Sequence, residues 1–114
     1  MAATFEDALR QIIRTTPLTV SIYNLTTKWW LQLKGGYVLD VYFNVSGPKY
    51  SYTLTKDERR VLGWDNAPHH PGLVNFPHHF HGADGSVTSS SLDGDPQHDL
   101  EVIFVEIEQF LKDR

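Results

Sequence analysis

The sequence contains no cysteine, which excludes a disulfide framework, any thiolate metal site and any cysteine nucleophile. It has no apolar run near the roughly 18 residues of a membrane-spanning helix. The opening MAATFEDALR carries acids and lacks a basic stretch followed by an apolar one, so no secretory signal is read there and a cytoplasmic protein is expected. Basic residues are scarce after Arg60. Residues 1–60 carry a charge of +3, and residues 61–114, with Lys112 and Arg114 as their bases, carry −7. Strong non-specific binding to nucleic acid needs a basic surface, and this distribution argues against it. Several motifs are also missing: a phosphate-binding glycine loop, a dinucleotide fingerprint, a nucleophile elbow and a zinc-binding His-Glu-x-x-His helix.

What is present suffices for one domain. The 114 residues are 40% hydrophobic and include three Trp, five Tyr and six Phe, enough for a single core without staples. Phe5, Ala8, Leu9, Ile12 and Ile13 recur at helical spacing, which predicts a helix over 4–14 capped by Thr4, with Asp7 in the capping-box position. Residues 18–64 alternate in short runs. Trp29, Leu31 and Leu33 share one face, with Trp30 and Gln32 on the other; Tyr37, Leu39, Val41, Phe43 and Val45 continue the pattern. Turns fall at Gly35-Gly36, at 46–49 and at 55–58. Residues 65–95 lose periodicity and read as a His-rich, then Gly/Ser/Asp-rich loop, with a short strand near 76–81 as an option. Asp95 and Pro96 open a helix over 96–112 with its apolar stripe on Leu100, Ile103, Phe104, Ile107, Phe110 and Leu111, and Glu101, Glu106 and Glu108 outward. The expected fold is α+β: an antiparallel β-meander with the N- and C-terminal helices packed on one face.

The chemistry concentrates between Trp64 and Gly82, WDNAPHHPGLVNFPHHFHG. Five of the six histidines lie between His69 and His81, and each adjacent pair follows a proline that restrains the backbone. In an extended segment His79 and His81 project to one face and His78 to the other. One reading is general acid–base catalysis. Cleaving RNA without a metal needs a base for the ribose 2′-OH and an acid for the leaving oxygen, and imidazole serves both near neutral pH. The pair would come from His69 or His70 and His79 or His81. Asp65 or Asn66 would orient a ring, and Tyr50 or Tyr52 would donate to the phosphate. On this reading no cofactor is needed. The other reading is a divalent metal such as zinc held by His79, His81 and one of His69 or His70, with Asp65. A third makes the chain a non-enzymatic interaction module. Arg59-Arg60 reads as the end of a hairpin before it reads as a phosphate site.

YSYTL (50–54), WDNAPHHP (64–71) and FPHHFH (76–81) together resemble the TumE-type family of small bacterial proteins. The likeness is tight over about 37–82 and general in the flanking helices. It implies the toxin half of a two-gene toxin–antitoxin module, a cognate DNA-binding antitoxin as partner, an RNA substrate and ribonuclease action. It also implies a site built from Asp65, Asn66, His69, His70, His78, His79 and His81. Homodimerisation is a further expectation, and membrane association is not expected. Gly63 and Phe80 stand where the family pattern often carries basic residues, which removes two positive charges from beside the site.

Overall fold

Alternating apolar residues separated by tight turns leave a chain little choice but to fold back on itself strand by strand, and the computed structural model shows this. It describes residues 4–47 and 49–114; the expected turn at 46–49 includes Pro48, which lies outside the described residues, as does the start of MAATFEDALR. Helix α1 (Phe5–Thr15) is followed by strands β1 (Thr19–Asn24), β2 (Trp29–Leu33), β3 (Tyr37–Asn44), β4 (Lys49–Lys56), β5 (Arg59–Asp65), β6 (His79–His81) and β7 (Val87–Ser89), and the chain closes with α2 (Pro96–Lys112). The seven strands are hydrogen-bonded in chain order, each antiparallel to the next.

Both helices begin where the sequence signals them. Thr4 Oγ1 accepts from the Asp7 amide at 3.1 Å, and Asp7 Oδ2 accepts from the Thr4 amide at 3.3 Å, a reciprocal capping box. Asp95 caps α2, with Pro96 in its first turn. Gly35 and Gly36 both take φ of +82°, the left-handed region open to glycine, within a short 3-10 turn between β2 and β3.

Register decides which side chains meet. Trp29, Val41, Tyr52, Trp64 and Phe80 form one row across β2 to β6, and Leu31, Leu39, Leu54 and Leu62 form the next. These rows face the helices, burying Ala8 and Leu9 of α1 and Leu100, Ile103, Phe104 and Ile107 of α2 in one core. Each fully buried large side chain there contributes about 1.5–3 kcal/mol by leaving water. On the opposite face, which carries neither helix, Tyr42, Ser51, Asp65 and His79 form a row. Beside it run Trp30, Asp40, Thr53, Gly63 and His81.

Within the loop read over 65–95, the optional strand near 76–81 is present as β6, and β7 adds a second three-residue strand that was not expected. One expectation for α2 needs correction. Glu106 does not point outward: it is half-buried and accepts from Trp64 Nε1 at 2.7 Å. Burial pushes its carboxyl above the usual range, against the indole hydrogen bond.

Candidate functional site

The site follows from strand parity. Asp65, the last residue of β5, pairs directly with His79, the first of β6, and His81 lies two residues further on the same face. Their reactive atoms converge. His79 Nε2 is 3.0 Å from Asp65 Oδ1, His81 Nε2 is 3.2 Å from Asp65 Oδ2, and the two Nε2 atoms are 3.1 Å apart. His79 is buried at 2% exposure, whereas the His81 side chain keeps 17%.

Backbone groups hold this arrangement. The Ala67 amide donates to Asp65 Oδ1 at 3.0 Å, an Asx turn that starts the descent from β5. His79 Nδ1 lies 3.0 Å from the Pro77 carbonyl oxygen. A carbonyl only accepts, so Nδ1 carries a hydrogen, and Nε2 is the ring atom turned toward Asp65 and His81. The His81 imidazole is held below its ordinary pKa, first by burial, then by the nearby Arg60 charge and by His79, with Asp65 opposing.

Above the centre lies a cavity of about 250 Å³ whose lining includes Tyr42, Ser51, Asp65, His69, His70, His79 and His81. His70 leans edge-on over the pair, its ring 4.8 Å from that of His79 and 6.3 Å from that of His81. His69 is exposed at the mouth. A larger cavity of about 650 Å³ lies on the other side, between the sheet and α2; it is lined by Leu62, Phe80, Glu106 and Phe110 among others and by no histidine. The converging histidines therefore belong to the smaller cavity.

The remaining predicted site residues lie elsewhere. His78, on the opposite parity, points to the helix side, where its Nδ1 is 2.7 Å from the Tyr50 hydroxyl and the two rings stack. Tyr50 and Tyr52 both project into the core. Burial raises both phenols above their ordinary range. Tyr52 Oη is buried and bonds to none of the described residues. Asn66 Oδ1 accepts from the Tyr50 amide at 3.0 Å, tying the loop to β4. His78, Tyr50 and Tyr52 thus lie on the face of the sheet opposite the Asp65 row.

One residue of the site was read otherwise in the sequence. The Arg60 stem crosses over Gly63: a Cβ on Gly63 would stand 3.3 Å from Arg60 Cδ and 3.7 Å from His81 Cβ. Glycine here opens the space in which the stem lies beside His81. The signal was a glycine inside a strand, which marks a close approach.

Comparison with known proteins gives one match: the family profile described as Toxin TumE, over residues 5–111. No curated protein and no solved structure matches.

Proposed function

The chain belongs to the TumE toxin family, and we propose that it is the toxin of a two-gene toxin–antitoxin module that cleaves RNA phosphodiesters at the Asp65–His79–His81 centre. Its partner is a DNA-binding antitoxin, and it works in the cytoplasm; no helix among the described residues is long and apolar enough to cross a membrane. The observation that carries the reading is the meeting of two imidazoles and one carboxylate within 3.2 Å at the floor of an open cavity.

Cleavage of RNA makes two demands on protons. The nucleophilic 2′-OH must lose one, and the leaving 5′-oxygen must gain one. Here the two demands map onto two depths. The deep group, reached through the more exposed His81, activates the nucleophile. His70, at the cavity wall, moves the leaving-group proton. Arg60 provides positive charge beside His81, which favours a phosphate there and offsets the acidic balance of this half of the chain. Imidazole acid–base steps are worth about 10²–10⁴ in rate each. Tyr50, Tyr52, His78 and Asn66 are assigned to holding the loop against the sheet.

The test is cleavage of a defined RNA by purified protein, alongside His70→Ala and Arg60→Ala. Cleavage lost at least a hundredfold in His70→Ala, with a raised KM in Arg60→Ala, supports the reading. Intact RNA after incubation with wild-type protein, with and without added zinc or manganese, refutes it.

A further inference from the structure

Counting protons at the centre leaves one unaccounted for. Three contacts close a triangle: His79 Nε2 to Asp65 Oδ1 at 3.0 Å, His81 Nε2 to Asp65 Oδ2 at 3.2 Å, and His79 Nε2 to His81 Nε2 at 3.1 Å. A hydrogen bond on each side would require three hydrogens. The Pro77 carbonyl holds the first hydrogen of the His79 ring on Nδ1, which leaves Nε2 as a bare lone pair facing a carboxylate oxygen. His81 Nε2 has at most one hydrogen to share between His79 and Asp65. Adding a proton to His79 Nε2 satisfies Asp65 and sets two N–H groups against each other at 3.1 Å. No assignment of ring protons gives every side of the triangle its own hydrogen.

A single cation at the centre satisfies all three sides at once. We infer that Asp65, His79 and His81 are three ligands of a divalent metal of the zinc class, with the fourth position open to the cavity beside His70. The ligand atoms of these three residues all lie within 4.8 Å of one another. Tetrahedral coordination at Zn–N distances of 2.0–2.1 Å places ligand atoms about 3.3 Å apart, close to the separations already present. Two imidazoles and a carboxylate form a borderline donor set, suited to zinc, cobalt or nickel and poorly suited to magnesium or calcium, which take oxygen ligands. The supporting bonds are those a metal site needs: the second nitrogen of His79 donates to a carbonyl, fixing its tautomer, and Asp65 is held by the Ala67 amide. His69, exposed at the mouth, is outside this set.

The inference deepens the cleavage reading by naming what the deep group holds, and its chemistry rests on that reading. Bound there, such a metal would lower the pKa of the ribose 2′-OH, whose proton would pass to solvent in the open cavity. His70 would give its own proton to the leaving 5′-oxygen, so one proton is released and one supplied.

Binding is tested without RNA. Tag-free protein, stripped with chelator and dialysed, is titrated with cobalt(II) and zinc against a chromophoric competitor, with circular dichroism confirming the fold of each variant. The expected result is one ion per chain, a visible cobalt spectrum of tetrahedral intensity, and at least a hundredfold weaker binding in His81→Ala and Asp65→Asn. His69→Ala and His98→Gln should shift affinity less than threefold. His79→Ala is informative only if folded, since that ring is buried; the other two variants keep the test open. Absence of stoichiometric binding by wild-type protein, or binding retained in both His81→Ala and Asp65→Asn, overturns the inference. Tight binding without RNA cleavage upholds the metal centre and removes the ribonuclease reading; cleavage by metal-free protein in chelator does the reverse.

Discussion

Two clusters of aspartate and histidine occur in this molecule, and they differ in what their carboxylates face. Asp99, at the start of α2, is fully buried. Its oxygens accept from the Asp93 amide at 3.0 Å, the Gly94 amide at 2.8 Å and His98 Nδ1 at 2.8 Å. Every partner is a donor, and two are backbone groups that the turn before the helix must satisfy somewhere. Asp65 accepts one amide hydrogen and otherwise faces two ring nitrogens at the floor of a cavity. The same residue types thus do different work. A carboxylate saturated by backbone donors fixes a turn, and one that meets two converging ring nitrogens is the group assigned to cation binding in the proposal above.

Perturbing each cluster should separate these roles. The largest effect is expected from His81→Ala, which removes a converging nitrogen: RNA cleavage should fall by about 10³, in line with loss of an acid–base or metal-ligating group, while thermal unfolding moves by only a few degrees. Next is Asp99→Ala, which leaves two backbone amides and the His98 ring without their acceptor. At about 1 kcal/mol for each of the two amides left unpaired, with the exposed His98 ring able to turn to water, the loss should be about 2 kcal/mol, read as a melting temperature lower by roughly 8 °C. Cleavage per folded molecule should hold. A smaller effect is expected from Tyr50→Phe, which deletes the 2.7 Å bond to His78 and should cost about 1 kcal/mol in denaturant unfolding, with metal affinity unchanged.

The smallest effect depends on pH. The His98 imidazole is raised above its ordinary pKa, first by its bond to Asp99 and further by the Asp93 charge, against the cost of burial. Its charged form therefore stabilises the fold. That contribution is complete below the unfolded pKa of about 6.5 and is lost as pH rises through the higher folded value. The melting-temperature gap between wild type and His98→Gln should be wider at pH 6 than at pH 9. An equal gap at both would remove His98 from the account of α2.

Much of this contrast was written in the sequence, and the remainder depended on register. The capping residues Thr4, Asp7 and Asp95 announce both helices, and alternation through 29–45 assigns the strand faces. The same alternation separates His78 from His79 and His81. Tyr50 and Tyr52 could donate to the phosphate only by projecting toward the loop; parity puts them in the core, since Ser51 is the residue that pairs with Asp65. Strand β7 was too short, at three residues, to display a period beneath the glycines and serines around it. Arg60 escaped because the register shifts between Leu54 and Thr55, next to the turn where hairpin chemistry explained the arginine pair well enough. Asp99 gave no sign of burial, for its carboxylate is satisfied by a turn whose shape only the folded chain reveals.

The most direct measurement compares Asp65→Asn with Asp99→Asn in the rate of cleavage of one RNA, each normalised to the fraction of folded protein. Asparagine keeps the Ala67 contact and loses the negative charge that faces the two imidazoles. The account predicts a rate at least a hundredfold below wild type for Asp65→Asn and a rate within threefold of it for Asp99→Asn. Equal activity in both variants, or a loss confined to Asp99→Asn, would contradict it.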